Sequence, residues 1–345
     1  MEQRHGGDIY RNQVNMDFSV NTNPLGMPDS VRDALQGAIR HATEYPDQKA
    51  SALYLAVEER LCVPKEWLCF GNGASELFLA IVHALRPKKI LLPVPSFYGY
   101  EHAAEAAESE TVRYCLKAEN DFQLQEDFLD QLTEDIDLIF LANPNNPTGC
   151  CVDKTLGLQL LQRCREKQIT VVLDECFIEF AGEEKSFYSY LKEFDNLVIV
   201  CAFTKTYAIP GVRLGYLLCS NSKLCGKIQM QLPEWNLSTF AQAAGVAAAG
   251  EETYVRESAA YLRDERIRLT SELRKMGIQV FDSEVNYILI YSEAPLYDRL
   301  LGKKILIRDC SNFAGLGRGY YRVAVRTREE NDKLVKAIGE CIEAD

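Results

Sequence analysis

Histidine is scarce in this sequence. Only four occur, at positions 5, 41, 83 and 102, and no two have metal-ligand spacing, which excludes a histidine-based metal centre. C-x-x-C pairs are absent, although there are 12 cysteines. A zinc reading of the neighbours Cys150 and Cys151 needs a second pair, and the sequence has none. Cys69, Cys201 and Cys219 sit inside apolar runs and read as small buried hydrophobes in a reducing compartment. Basic residues are not in excess: 38 Lys and Arg stand against 50 Asp and Glu, a formal net charge of -12. That balance argues against nonspecific nucleic-acid binding and against an anionic membrane surface. No apolar run reaches membrane-spanning length, and the opening MEQRHGGDIYRN has no apolar stretch of the signal-peptide kind. A cytoplasmic protein is expected. Repeats and low-complexity linkers are also missing.

What is present is an ordinary globular composition, 47% hydrophobic and 26% charged. A length of 345 residues suggests a large domain with a smaller one appended. PDSVRDALQGAIRHA places Val31, Leu35 and Ile39 at helical spacing, with Asp29 or Ser30 as a cap. ASALYLAVEERL reads as a second helix. LCFGNGASELFLAIVHALR reads as a short strand, a glycine-flanked turn and an apolar helix from about Ser75. KKILLPVPSF, DLIFLANPNNPTG, ITVVLDECF and LVIVCAFTK read as strands, and TLGLQLLQRCREK as a helix among them. Near-continuous Val, Ile and Leu runs need cover on both faces, so an α/β fold is expected, with a three-layer α/β/α large domain around a mainly parallel sheet. The pattern changes near residue 251. One long helix, EETYVRESAAYLRDERIRLTSELRKMG, precedes the short strands YILIYS, ILIRDC and YYRVAVRT and the closing helix REENDKLVKAIGECIE. These predict a smaller α+β domain. The expected division is an arm over 1–40, without a sheet partner of its own and packed with the small domain, then a large domain over 41–250 and the small domain over 251–345.

Polar groups collect where the strands end. Asn146 follows one, Asp174 ends the next, and Lys205 ends a third. In an open α/β sheet ligands bind at the carboxyl ends of strands, so the three converge on one crevice. A buried aspartate needs a cationic partner. Pyridoxal phosphate would supply one, because it takes a lysine at its aldehyde and a carboxylate at its ring nitrogen. GNGASE, with Gly73, Ala74 and Ser75 opening a helix, offers backbone amides to the cofactor's phosphate. Arg213, eight residues after Lys205, adds a charged fork. Phe97 could stack on the ring, and Tyr45 could reach the phosphate. Each alone has a bland reading: a plain turn, a helix cap, a core aromatic, a surface ion pair. Their combination in this order is specific.

GNGASE, PSFYGY, NPNNPTG, DECFIEF, FTKTYAIPGVRLGY and YYRVAVRT together resemble the class I/II aminotransferases of the pyridoxal-phosphate fold type I group, over essentially the whole chain. The resemblance implies Lys205 as the lysine bonded to the cofactor and Asp174 as partner of its ring nitrogen. It implies Asn146 at the ring oxygen and Ala74, Ser75, Thr204 and Arg213 at the phosphate, with Tyr45 reaching in from the second subunit of a homodimer. Within the group the chain is similar to histidinol-phosphate aminotransferases and, more closely, to the threonine-phosphate decarboxylases of cobalamin biosynthesis. HGGDIY resembles the opening of the decarboxylases, where His5, Gly6 and Gly7 would approach a substrate phosphate. Phe177 and Arg326 stand where the aminotransferases tend to carry tyrosine and glycine. Asn23, Asn146, Arg308 and Arg322 would complete the site for an amino-acid phosphate, since arginine forks suit carboxylate and phosphate alike. Both outcomes, lyase and aminotransferase, draw on nearly one residue set. A ligand sensor of the transcription-regulator kind would need a DNA-binding domain, for which the 40 or so residues ahead of the large domain leave no room, and the acidic balance counts against it.

Overall fold

The computed structural model describes residues 5–343. The outermost residues of the expected arm and small domain, 1–4 and 344–345, lie outside this range. Among the described residues thirteen strands run in chain order as β1 Met16–Asp17, β2 Leu68–Gly71, β3 Lys89–Val94, β4 Glu110–Cys115, β5 Leu138–Ala142, β6 Thr170–Asp174, β7 Leu197–Ala202, β8 Gly215–Leu218, β9 Gln279–Val280, β10 Tyr287–Tyr291, β11 Ile305–Leu306, β12 Arg308–Asp309 and β13 Tyr320–Ala324. Seven of them form one sheet in the order β2-β8-β7-β6-β5-β3-β4. Only β8 runs against its neighbours; the other pairs are parallel.

Alternation explains why the central strands read as unbroken apolar runs. Ile139 and Leu141 of β5, Val171 and Leu173 of β6, and Leu197, Ile199 and Cys201 of β7 face one core. Leu138, Phe140 and Ala142, with Val172, Val198 and Val200, face another on the opposite side. Side chains on a strand point alternately to the two faces, so a strand covered by helices on both must be apolar throughout. This is the expected α/β fold with a mainly parallel sheet. The edge strand β4 is half exposed and carries Glu110 and Arg113, and sequence reading passed it over. Strand β8, directly behind the FTKTYAIPGVRLGY loop, was missed too.

A second sheet, β12-β13-β10-β9, is antiparallel. With the 24-residue helix Glu252–Lys275 and the closing helix Arg328–Ile342 it encloses its own core, including Leu262, Leu269, Ile288, Val323 and Leu334. The segment ILIRDC is not one strand. Ile307 divides it, so that β11 pairs in parallel with β1 while β12 pairs with β13. The first residues therefore do have a sheet partner, and Phe18 joins the second core. The helix Asp29–Ala38 behaves differently, with Val31 buried in the large-sheet core. Its cap is Pro28, without a side-chain bond; Asp29 bonds Arg32 and Ser30 bonds Glu251 instead. No helix among the described residues is long and apolar enough to cross a membrane.

One buried acid ties the second body together. Glu265 accepts from Arg268 at 2.8 Å, from Arg328 at 2.9 Å and from Asn331 at 3.1 Å. These bonds hold its carboxyl below the usual range against the opposing effect of burial. A depressed folded-state pKa gives stability that is present above the unfolded value and lost as pH falls through the folded one. Glu265→Ala is expected to cost about 3 kcal/mol, the low end for breaking a buried pair, since Arg268 keeps Asp332. Denaturant midpoints of both proteins from pH 7 to pH 3 test this; the difference between them should shrink on acidification.

Candidate active site

Strands β5, β6 and β7 end side by side, and the residues that follow open onto one cavity of about 270 Å³. Asn146, Asp174 and Lys205 all line it, as do Gly6, Ala74, Ser75, Phe97, Thr204, Arg213, Arg308 and Arg322. Lys205 is not on the strand itself. It sits in the single-turn helix Phe203–Thr206 directly after β7. Its amine has no carboxylate partner among the described residues, and the nearest ring is Phe177, with Nζ 6.0 Å from the centroid. Burial, then the charge of Arg322, then that of Arg213 bring its pKa down to about 8, with the Cys176 thiol opposing them.

Asp174 is the last residue of β6. Its carboxylate accepts the Tyr100 hydroxyl at 2.5 Å and the Cys176 N–H at 3.0 Å. Burial raises its pKa, and these bonds partly hold it down. No cation pairs with it among the described residues. Tyr100 is itself fixed, stacked on Phe140 at 5.2 Å with an interplanar angle of 8°.

Opposite lies a cradle for an anion. The helix Ala74–Leu85 starts after Gly73 with no side-chain cap, and the first N–H groups of a helix lack intrahelical acceptors. Ser75, Thr204 and Arg213 surround that end. Gly73 has φ +80, and a Cβ there would lie 2.3 Å from Arg213 Nη2. Glycine is thus needed for the guanidinium to approach.

Two further cations come from the antiparallel sheet. Arg308 on β12 and Arg322 on β13 are direct cross-strand partners. Arg322 donates to Ser19 O at 2.7 Å and to Asn146 Oδ1, while its Nε is buried without an acceptor. Arg308 lies over the Phe313 ring at 5.0 Å and donates to Asn312 Oδ1 at 2.8 Å. His5 and Gly6 close the cavity from the chain's start. A Cβ on Gly6 would come within 2.3 Å of Ser19 O, so this contact admits only glycine.

Four expected site residues lie outside the cavity lining. Asn23 is turned away because its amide is used by Thr206 O at 2.9 Å and Ser258 Oγ at 2.8 Å. Gly7 donates its N–H to Ser19 Oγ at 2.8 Å and so shapes the arm. Gly73 stands beneath Arg213. Tyr45 is 83% exposed, its ring 5.1 Å from Trp235, and reaches nothing in the cavity of its own chain. Arg326 is also remote, bonded to Glu330 at 2.9 Å and to Asp17 O at 3.2 Å. Sequence reasoning missed Asn21, which lines the cavity with a buried Nδ2 that has no acceptor. It also missed Ser19, Tyr100 and Cys176. The signal for Asn21 was its two-residue spacing from Asn23, which cannot say which of the two faces the ligand.

Residues 13–338 match the family model "Aminotransferase class I and II". Threonine-phosphate decarboxylase of Salmonella typhimurium is 35% identical over 327 residues, covering 94% of this chain and 90% of that protein. The crystal structure of histidinol-phosphate aminotransferase from Clostridium acetobutylicum superimposes with a TM-score of 0.89 at 33% identity, over 94% of this chain and 98% of that one. L-threonine-O-3-phosphate decarboxylase from Porphyromonas gingivalis gives a TM-score of 0.86 at 25% identity, over 95% and 99%.

The electrostatics of Lys205 can be measured directly. Competitive acetylation of the cofactor-free protein across pH, read by mass spectrometry, is expected to reach half its maximal rate at Lys205 near pH 8. Arg322→Met should move that midpoint upward, because removing a nearby cation favours the charged ammonium. An unchanged midpoint in the variant would remove Arg322 from the account.

Proposed function

The chain belongs to the class I and II aminotransferases, and from that premise we propose that it is a pyridoxal-phosphate-dependent decarboxylase acting on L-threonine O-3-phosphate. The donor set fits the cofactor. An amine of lowered pKa without a carboxylate, a desolvated carboxylate without a cation, and an uncapped helix start beside Arg213 are three features that suit one molecule. Lys205 would hold it covalently, Asp174 at the ring nitrogen, Asn146 at the ring oxygen and Phe97 over the ring. Ala74, Ser75, Thr204 and Arg213 would take its phosphate. Bound there, pyridoxal phosphate supplies an electron sink for the pair left when a bond at the substrate's α-carbon breaks.

The observation that carries the choice of substrate is the cross-strand pair Arg308 and Arg322 in the same cavity as Lys205. Two guanidinium forks suit a ligand with two anionic groups, a carboxylate and a phosphate. A carboxylate gripped by a fork keeps one orientation, and only the bond so oriented is weakened. When carbon dioxide leaves, a proton must take its place at the α-carbon. Lys205 can deliver it, since an amine of pKa about 8 is substantially protonated near neutral pH. The cavity wall at Phe177 offers no hydroxyl to compete. The name of the Salmonella relative supports the same reading. All twelve cysteines are free thiols, in keeping with a cytoplasmic enzyme.

Tyr45 supports a homodimer. Its exposed ring does not line the cavity of its own chain and could reach a neighbour's cofactor phosphate. Sedimentation should give a dimer at micromolar concentration. A fully active monomer would contradict that role.

With L-threonine O-3-phosphate the holoenzyme is expected to release carbon dioxide, and Arg322→Ala to lower kcat/KM about ten- to a hundredfold, from the loss of one charged hydrogen bond worth roughly 1.5–3 kcal/mol. The variant should also form more keto acid, because a loosened carboxylate can rotate. Glutamate from histidinol phosphate and 2-oxoglutarate, with no carbon dioxide from threonine phosphate, would assign the chain to the aminotransferase branch.

A further inference from the structure

The turn that carries Lys205 is four residues long. A helix that short has no stability of its own, and its last carbonyls need partners from elsewhere. Asn23 supplies them. Its backbone N–H donates to Lys205 O at 2.9 Å, and its side-chain amide donates to Thr206 O at 2.9 Å. The second amide hydrogen goes to Ser258 Oγ at 2.8 Å, and Asn23 Oδ1 accepts the Leu25 N–H at 3.1 Å. Asn23, Thr206 and Ser258 are all buried, Ser258 completely. Ser258 belongs to the long helix Glu252–Lys275, whose further turns pack in the second core.

We propose that Ser258 is a positioning residue for Lys205, acting through Asn23, so that the long helix fixes the orientation of the reactive amine. Ser258 touches neither cavity nor ligand. It holds the Asn23 amide in the one rotamer that caps the lysine turn, and both ends of that bond are out of reach of water. Without the hydroxyl, one amide N–H is left buried and unpaired, a costly state that Asn23 can escape only by rotating away from Thr206 O. The turn then loosens and exposes the amine further to water. The charged groups facing that amine come from separate elements: Arg322 from β13, Arg213 from the loop after the turn, and the Cys176 thiol after β6. None of them bonds Ser258 or Asn23, so a change in the lysine's titration on altering Ser258 reports its placement. The proposal rests on the functional reading only in giving Lys205 its importance.

The test is competitive acetylation of Lys205 across pH in the cofactor-free form of wild type, Ser258→Ala and Tyr261→Phe. The last removes a different hydrogen bond of the same helix, the one that the Tyr261 hydroxyl accepts from the Arg328 N–H at 2.9 Å. Alanine is the best helix former, so Ser258→Ala should fold, which circular dichroism checks. In that variant, labelling at pH 7 is expected to fall about threefold, equivalent to a rise of half a pKa unit, and kcat to fall with KM little changed. An unaltered labelling profile in folded Ser258→Ala, or the same shift in Tyr261→Phe, would overturn the proposal. Absence of cofactor binding by wild type would sink the functional reading and leave the labelling comparison intact.

Discussion

A half-buried amine beside two guanidinium groups, with no acid to balance it, is the condition on which this molecule is organised. Lys205, Arg213 and Arg322 bring their charges to one cavity in a protein whose overall balance is -12. Such a cluster is costly to assemble, and the fold meets the cost with neutral acceptors. Ser19 O and Asn146 Oδ1 receive Arg322, and Pro210 O receives Arg213 at 3.2 Å. Carbonyl and amide oxygens orient a guanidinium without cancelling its charge. The charge stays available to an anionic ligand, and it also keeps the lysine amine partly deprotonated and nucleophilic.

The large sheet and its ligand end were legible because burial on both faces leaves apolar residues through the middle of β5, β6 and β7. Polar residues at or just after the ends of those strands stand out against them. Asp174 and Lys205 were found in this way. The parts that were not legible share a different property. Strand β4 is an edge whose outer residues meet water, and β1, β9, β11 and β12 are two-residue pairings with no periodicity to read. Their existence is decided by which segment lies alongside. The same holds for the site. Asn21 and Asn23 are chemically identical and two residues apart, and only the position of Thr206 and Ser258 turns one of them into a support and leaves the other facing the ligand.

Residues near the start of the chain serve both bodies. Strand β1 pairs with β11, Ser19 receives Arg322 through its carbonyl and Gly7 through its hydroxyl, and Asn23 closes the lysine turn. Within eight residues the chain passes from the two-stranded pairing with β11, along the cavity wall, to the underside of the lysine. Contacts of such long sequence separation are formed late in folding when they depend on two bodies being in place. The cavity is therefore a property of the assembled molecule, and neither sheet contains it alone.

Arg308 and Arg322 face each other directly across β12 and β13. Like charges in that position repel and weaken a strand pairing, and this pairing is only two residues long. On the proposed function, a ligand that places one negative group at each guanidinium would relieve that repulsion as well as form its own bonds, and a ligand with a single negative group would relieve it less. The firmness of the small sheet's edge would then depend on what occupies the cavity, so that thermal stability and substrate selectivity would draw on the same two side chains.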